Sequence, residues 1–157
     1  MIIDQAQKED IPSLVQLRML YLSADFPDMN KEDAELIKKR LPDYFSRHLN
    51  QDLFCFLAKK EEEILSCAFL MITEKPMSPS FINGKTGTLL NVYTKPQYRR
   101  QGIAKALIHE LLKEAETMNL STVECKSTEE GYGVYKASGF KETNEYKLMK
   151  WRNDHAE

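Results

Sequence analysis

The sequence predicts an α/β fold of the layered α+β type, with a mixed, mostly antiparallel central sheet flanked by helices. Short apolar runs typical of strands alternate along the chain with longer segments whose apolar residues recur at helical spacing. Two of the runs, 53–58 and 64–72, flank the charged segment 59–63, a pattern typical of a hairpin buried on both faces. Because the chain has only 157 residues, we expect a single domain over residues 1–157.

The N-terminal third is predicted to contain one strand and two helical segments. Residues 2–7 form a short strand candidate, and Asp10 is placed to cap a helix that ends near Ala24. Asn30, followed by an aspartate three residues later, indicates the start of the second helix. Pro42 interrupts the apolar pattern of that segment, so we expect either a kink or two short helices.

The remaining two thirds alternate strands and helices. We expect a turn-rich connection at 74–85, a central strand at 89–93 and a long helix after residue 102. A strand at 121–126 should follow. The next helix should begin with a capping box at Ser127 and end at Gly139, before a last strand at 141–151.

The segment 91–107 is the most informative part of the chain. It is typical of a strand closed by Pro96, a short basic turn and the start of a long helix. The first turn of a helix presents unpaired N–H groups and about half a positive charge, so it favours phosphate. Gly102 has no Cβ to block a close approach, and Arg99, Arg100 and Lys105 add positive charge. The glycine pattern matches neither the dinucleotide fingerprint nor the P-loop.

Two motifs resemble a known superfamily. The segment Arg99–Ala104, Arg-Arg-Gln-Gly-Ile-Ala, is similar to the pyrophosphate-binding signature of the GNAT superfamily of acyl-CoA N-acyltransferases. The segment 131–140, with Tyr135 and a Gly-Phe pair, is similar to the second cofactor-side motif of that superfamily. The resemblance implies the same order of strands and helices that the pattern predicts. It also implies transfer of an acetyl group from acetyl-CoA to a primary amine of a small molecule or peptide, by direct attack in a ternary complex.

The resemblance further assigns roles to individual residues. A bulge in the central strand would place a backbone N–H of Val92 or Tyr93 against the thioester carbonyl. Tyr135 aligns with a tyrosine that protonates the departing thiolate: a phenol with a pKa of about 10 is protonated at neutral pH, and the thiol that it would regenerate has a pKa of about 8.5. The expected cofactor-binding residues are Val92, Tyr93, Thr94, Arg99, Arg100, Gln101, Gly102, Ile103, Ala104, Lys105 and Ser127.

No general base is assigned from the sequence. The central strand contains no carboxylate between residues 86 and 94. Glu124, Glu74 and Asp25 are the nearest candidates by pattern, and a chain of waters or an acceptor that arrives neutral is equally compatible. By resemblance, the first two helices, the 74–85 connection and the last hairpin would determine which amine is accepted.

Composition and motif searches narrow the classes of partner. A net charge of −2 with one local basic cluster argues against nucleic-acid binding, and no apolar run has membrane-spanning length. Three cysteines without C-x-x-C spacing, Cys55, Cys67 and Cys125, are expected to be buried reduced thiols in a cytoplasmic protein. The three histidines have no ligand partners at metal spacing, so we expect no metal.

Two other functions compete with acetyl transfer. A non-catalytic acyl-CoA-binding regulatory module would keep the pyrophosphate turn and explain the missing strand carboxylate. A nucleotide- or phosphate-binding protein of another class would keep only the basic turn. The sequence leaves the oligomeric state open, although a homodimer is compatible with exposed sheet edges.

Overall fold

A five-stranded sheet forms the centre of the molecule, and the computed structural model describes all 157 residues. The strands lie side by side in chain order: β1 (Ile2–Gln5), β2 (Leu53–Lys60), β3 (Glu63–Glu74), β4 (Lys85–Thr94) and β5 (Thr122–Cys125). The first three pairings are antiparallel and the β4–β5 pairing is parallel. The predicted mixed, mostly antiparallel sheet is therefore confirmed.

Helices cover both faces of this sheet because its inner strands are apolar on both sides. The helices α1 (Ile11–Asp25) and α2 (Lys31–His48) pack on one face, and α3 (Ile103–Thr117) and α4 (Glu129–Ala137) pack on the other. Alternate residues of β2 serve the two layers, so that Cys55 and Leu57 face α1 and α2 while Phe56 and Ala58 face α3. None of the four helices is long and apolar enough to cross a membrane.

The predicted capping of α2 is confirmed. The Asn30 side chain accepts a hydrogen bond from the Asp33 N–H at 2.8 Å, which satisfies one of the unpaired donors of the first turn. The helix then continues without interruption through Pro42, so the alternative of two short helices is wrong. Burial explains why the helix survives a missing N–H: Phe45, in the next turn, is 1 % exposed and packs edge-on against Phe69.

Two other capping predictions are wrong in their details. Asp10 occupies the position before α1, but its carboxylate accepts from the Gln7 N–H at 2.8 Å and so closes the preceding 3-10 turn. The residue that caps α4 is Thr128, whose hydroxyl accepts from the Gly131 N–H at 3.2 Å. The neighbouring Ser127 is exposed and donates to the Thr128 carbonyl instead.

The predicted last strand at 141–151 is also wrong. This segment contains no strand, and Tyr146, Met149 and Trp151 are each at least 84 % exposed. Apolar residues favour a strand only where a neighbouring strand supplies hydrogen-bond partners, and nothing pairs with the outer edge of β5. Gly139, with φ of 95°, ends α4 as predicted.

Candidate active site

A β-bulge interrupts the pairing of β4 with β3. Cys67 pairs with Tyr93 and Phe69 pairs with Leu90, so two β4 residues, Asn91 and Val92, stand opposite the single residue between them on β3. Asn91 has φ of 53°, in the left-handed region that costs most L-residues about 1–2 kcal/mol. We call these two residues the β4 bulge.

The bulge changes which residues of β4 face each layer. Leu89 and Val92 pack on the α3 side, whereas Leu90 and Tyr93 pack on the α1 side. Residues on one side of the strand are thus three positions apart here, where an unbroken strand would space them by two. The extra residue lies just beyond the point where the pairing of β4 with β5 ends.

An opening between β4 and β5 begins at the bulge. The parallel pairing runs from Thr86 with Thr122 to Leu89 with Cys125, and residues 90–94 have no partner on that side. We call this space the β4–β5 opening. The bulge residues therefore line the place where the sheet parts, and their backbone is available to a molecule that enters it.

Side-chain contacts hold the bulge from the α1 side. Asn91 is 1 % exposed. Its side-chain oxygen, Oδ1, accepts a hydrogen bond from Arg18 Nη1 at 3.0 Å, and its side-chain nitrogen, Nδ2, lies 3.5 Å from Cys67 Sγ. The Cys67 thiol in turn lies 3.5 Å from the Asn91 main-chain oxygen. Burial raises the pKa of Cys67 to about 12, so this thiol stays protonated and can donate.

The basic turn between β4 and α3, residues 99–105, has an unusual backbone. Arg100 and Gly102 have φ of 59° and 77°, and Gly102 stands immediately before the first residue of α3. A Cβ built on Gly102 meets no atom within 4 Å, so the space in front of this backbone is open. A group as large as a phosphate can therefore approach the main chain here.

Unpaired donors line the same turn. No backbone N–H from residue 100 to residue 105 donates within the chain, and the helical ladder starts with the Ala106 N–H on the Gly102 carbonyl at 3.0 Å. Such a run of N–H groups at a helix start, with the helix dipole behind it, is the arrangement that binds phosphate. Gln101 turns back to donate to the Gln97 carbonyl, and Ile103 is buried beneath the turn.

The cations of the turn differ in their surroundings. Arg99 donates to the Thr94 carbonyl at 3.0 Å, lies 5.8 Å from the centre of the Tyr93 ring and reaches Glu130 at 3.5 Å. It therefore ties the first turn of α4 to the end of β4. Arg100 and Lys105 are exposed and form no ion pair, so their charge is free to act on an incoming anion.

Tyr135 approaches the opening from α4. Its ring packs edge-on to Phe140 at 5.8 Å and against the apolar layer under α3. Burial raises its pKa to about 12, with further contributions from Cys125 and Tyr21. Every fully buried side-chain oxygen or nitrogen of the chain has a hydrogen-bond partner. The Tyr135 hydroxyl has none, so this hydroxyl is not fully buried and an incoming molecule can reach it.

A cavity lies between the end of α1 and the start of α2. It has a volume of about 660 Å³, and apolar side chains and three aspartates line it. The lining residues are Leu22, Asp25, Phe26, Pro27, Asp28, Met29, Asp33, Leu36, Ile37 and Arg152. Burial and then the nearby Asp25 carboxylate raise the pKa of Tyr21, which lies one turn before the end of α1.

Another cavity, of about 610 Å³, lies on the other side of α1 and carries no comparable chemistry. It is bounded by the β2–β3 turn and the segment after β4. Of its charged groups, Glu63 accepts from Tyr98 at 2.7 Å and from Lys95 at 3.2 Å.

The structure brings most of the predicted site residues into two places. Val92, Tyr93 and Tyr135 lie around the opening, and residues 99–105 form the turn at its mouth. Ser127 is exposed between β5 and α4 and contacts only its neighbour. Thr94 is engaged by the Ser66 hydroxyl at 2.8 Å, which fixes the end of β4.

The sequence analysis missed Arg18, Tyr21 and the role of Asn91. An asparagine inside an apolar strand was a signal, because a buried amide needs partners. An arginine on the apolar side of α1 was a second signal. Nothing in the sequence showed that the two side chains meet, because 73 positions separate them.

Comparisons with known proteins agree with this architecture. A family model described as the acetyltransferase (GNAT) family matches residues 12–140. A crystal structure of a predicted acetyltransferase with acetyl-CoA from Clostridium acetobutylicum is 29 % identical, with a TM-score of 0.83 and 95 % of each chain covered. A search of curated proteins found no significant match.

Two further structures share the fold at lower identity. A GCN5-related N-acetyltransferase from Ralstonia eutropha JMP134 is 20 % identical, with a TM-score of 0.79, 95 % of this chain and 97 % of the other covered. An aminoglycoside acetyltransferase from an uncultured soil metagenomic sample is 17 % identical, with a TM-score of 0.71, 97 % of this chain and 95 % of the other covered. Because the family model spans most of the sequence and the fold agrees, the chain belongs to the acetyltransferase (GNAT) family.

Proposed function

We propose that the chain transfers an acetyl group from acetyl-CoA to a primary amine of a small molecule or peptide, by direct attack in a ternary complex. The observation that carries the proposal is the run of unpaired N–H groups at residues 100–105, next to a strand opening with a bulge. Membership in the family and the acetyl-CoA in the similar Clostridium structure support the choice of donor. The proposal treats residues 1–157 as one domain, working in the cytoplasm where its three thiols stay reduced.

The pyrophosphate of acetyl-CoA fits the 99–105 turn. The N–H groups of the first turn of α3 would hold its oxygens, and Gly102 leaves the space that they need. Arg100 and Lys105 would neutralise the charge, since neither has a partner in the chain. The pantetheine arm would then pass along residues 92–94 into the β4–β5 opening.

The β4 bulge would supply the electrophilic side of the reaction. Acetyl-CoA brings a thioester whose carbonyl carbon is attacked by the neutral amine, so that a C–N bond forms as the C–S bond breaks. The proton that the amine nitrogen loses to water is balanced by the proton that the departing thiolate takes from water to become the free thiol. As the amine attacks, negative charge develops on the carbonyl oxygen, and a backbone N–H of Val92 or Tyr93 would stabilise it. One such donor typically raises the rate by about 10²–10³.

Tyr135 would assist the departing sulfur by donating a hydrogen bond. With its pKa near about 12, the phenol stays protonated throughout the working range. Full proton transfer to a thiolate whose thiol has a pKa of about 8.5 would cost about 5 kcal/mol, at about 1.4 kcal/mol per pKa unit. The structure therefore favours donation without complete transfer, which refines the role expected from the sequence.

Direct attack of the amine on the thioester agrees with the protonation state of the thiol at the end of β5. Burial raises the pKa of Cys125, at the end of β5, so this group is protonated and a poor nucleophile at neutral pH. An acyl-enzyme on this residue is therefore disfavoured. The aspartates around the 660 Å³ cavity would attract a cationic amine to the other side of the opening.

Calorimetric titration with acetyl-CoA, desulfo-coenzyme A, ATP and NAD tests the proposal. We expect micromolar binding of acetyl-CoA, about −8 kcal/mol, and weak binding of ATP and NAD. Gly102→Glu should abolish the binding of acetyl-CoA, because the new carboxylate would face the N–H groups that hold the pyrophosphate. Two controls separate charge from the backbone strain that any side chain meets at the Gly102 φ of 77°. Gly102→Ala adds the strain alone, and Gly133→Glu adds the charge alone at a position of α4 where a Cβ also meets nothing within 4 Å.

Release of free thiol in the presence of a panel of amines then tests catalysis. Transfer to at least one primary amine is the expected result. Equal binding by the Gly102→Glu variant, or preference for ATP or NAD, would refute the assignment of the turn. Tight acetyl-CoA binding without transfer to any amine would favour a regulatory acyl-CoA-binding module.

A further inference from the structure

We propose that Arg18 is a positioning residue for acetyl transfer: through Asn91 it fixes the β4 bulge and so aims the backbone N–H that polarises the thioester carbonyl. This inference rests on the function proposed above. Arg18 lies on α1, and its hydrogen bond goes to the side chain of Asn91 and not to the backbone of the bulge. Its contribution is made through one hydrogen bond, from Nη1 to the Asn91 side-chain oxygen at 3.0 Å.

The first argument is the conformation of Asn91. Its φ of 53° is one that few L-residues adopt, although asparagine tolerates it better than most. β3 pairs with Leu90 and Tyr93 on either side of the bulge but with neither bulge residue, and β5 pairs with nothing beyond Leu89. On the α1 side, two contacts therefore hold Asn91: the Cys67 thiol at its main-chain oxygen and Arg18 at its side chain.

The second argument is the way in which the Asn91 amide is held. Its oxygen faces the guanidinium of Arg18, and its nitrogen lies 3.5 Å from Cys67 Sγ. Of these two contacts, only the one with Arg18 involves a charged donor, and such hydrogen bonds are shorter and stronger than those to sulfur. Removal of Arg18 would leave a buried amide oxygen without a partner and free the side chain to move.

The third argument is that Arg18 has no other polar function in the chain. It forms no ion pair, and its hydrogen bond to Asn91 is the only one that it makes. The guanidinium rests 5.6 Å from the centre of the Tyr21 ring, which holds it in a fixed place beside the opening. A half-buried arginine without a carboxylate is poorly explained by stability, but is well explained by a requirement to orient Asn91.

The consequence for catalysis follows from geometry. The backbone N–H of the bulge can stabilise the thioester carbonyl oxygen only when it points at that oxygen. Small misplacements of catalytic groups cost up to about 10²-fold in rate. Binding of acetyl-CoA should change little, because the 99–105 turn supplies most of the contacts with the phosphates. We therefore expect loss of Arg18 to lower kcat 10- to 100-fold while the Kd of acetyl-CoA changes less than about threefold.

The test combines kinetics with the infrared spectrum of bound acetyl-CoA labelled with ¹³C at the carbonyl. In the wild type, the bulge N–H should lower the carbonyl stretching frequency on binding. Arg18→Met should lose this shift together with kcat, and Arg18→Lys, which restores one charged donor, should recover part of both. Arg40→Met is the matched control, since Arg40 is an exposed arginine of α2 without an ion pair.

A second variant, Asn91→Gly, tests the route of the effect. Glycine accepts a positive φ but offers no side chain, so the bulge can form without its anchor. We expect Asn91→Gly to lower kcat as much as Arg18→Met does. The double variant that combines the two should show no further loss, because both substitutions break the same contact. If Arg18→Met does not fold, Arg18→Lys and Asn91→Gly are compared with the wild type in the same way.

The outcomes separate the two proposals. A wild-type carbonyl shift that Arg18→Met retains, with unchanged kcat, overturns the role of Arg18 and leaves acetyl transfer intact. Additive losses in the double variant would also overturn it. If the wild-type protein binds acetyl-CoA and transfers acetyl with no carbonyl shift, the role of Arg18 is overturned and acetyl transfer stands. If it does not bind acetyl-CoA, the proposed function itself is wrong, and the role of Arg18 falls with it.

Discussion

Replacement of Tyr135 by phenylalanine isolates one hydroxyl of the site. The phenylalanine ring keeps the edge-on contact with Phe140 and the packing under α3. The lost hydroxyl makes no hydrogen bond within the chain, so the free energy of unfolding should change by less than about 0.5 kcal/mol. Any large change in rate then reports on chemistry and not on folding.

The expected magnitude follows from the pKa of Tyr135. Because this phenol, at about 12, is too weak an acid for full transfer, its contribution is that of one hydrogen bond to a charged sulfur. Such a bond is worth about 1.5–3 kcal/mol. At about 1.4 kcal/mol per factor of ten, kcat should fall about 10- to 150-fold, with little change in the Kd of acetyl-CoA.

The assay measures thiol release at saturating amine and acetyl-CoA, between pH 6 and 10. The wild-type profile should show no loss of kcat that is attributable to deprotonation of Tyr135, because the pKa lies above this range. Tyr132→Phe is the matched control, since it makes the same change on the same helix at an exposed position.

Three results would refute this reasoning. An unchanged kcat in Tyr135→Phe would remove the residue from the mechanism. A fall of the same size in Tyr132→Phe would point to a general disturbance of α4. A loss of acetyl-CoA affinity with unchanged kcat would make Tyr135 a binding residue.

Two further predictions concern the scaffold. Asn30→Ala should lower the free energy of unfolding by about 1 kcal/mol in denaturant titrations, because it removes the cap of α2; no change would show that the cap is redundant. Tyr98→Phe should raise the pKa of Glu63 in an NMR titration, since the hydrogen bond from Tyr98 is the largest cause of its lowered value, ahead of Lys95. In the wild type, the Glu63 carboxylate stabilises the fold above its ordinary pKa and loses that effect as pH falls through the lowered pKa. In Tyr98→Phe, the free energy of unfolding should depend less on pH through this group. An unchanged pKa of Glu63 would contradict the prediction.

Local patterns were enough to predict most of the secondary structure. The apolar runs predicted β1 to β5, and the start of α2 at Asn30 and the end of α4 at Gly139 follow from signals within a few residues. The basic turn with Gly102 was predicted from sequence because all of its determinants are consecutive: a strand end, a glycine and the first turn of a helix.

Failures occurred where two local signals competed. Both Ser127 and Thr128 can cap a helix, and the backbone conformation after β5 decides in favour of Thr128. Pro42 weakens α2 locally, but burial of Phe45 against the sheet outweighs the missing hydrogen bond. The segment 141–151 has strand-like composition, but a strand also requires a partner, which composition does not supply.

By itself, the sequence determined the layered fold and the helix start that favours an anion, because both depend on short-range periodicity or on consecutive residues. The candidate acid on α4 came from the resemblance of its motif to the superfamily. Only the tertiary structure decided that Arg18 meets Asn91, that the expected bulge of β4 falls at Asn91 and Val92, and that burial raises the pKa of Tyr135 to about 12. These features depend on register and burial, and both are set by packing between segments far apart in the chain.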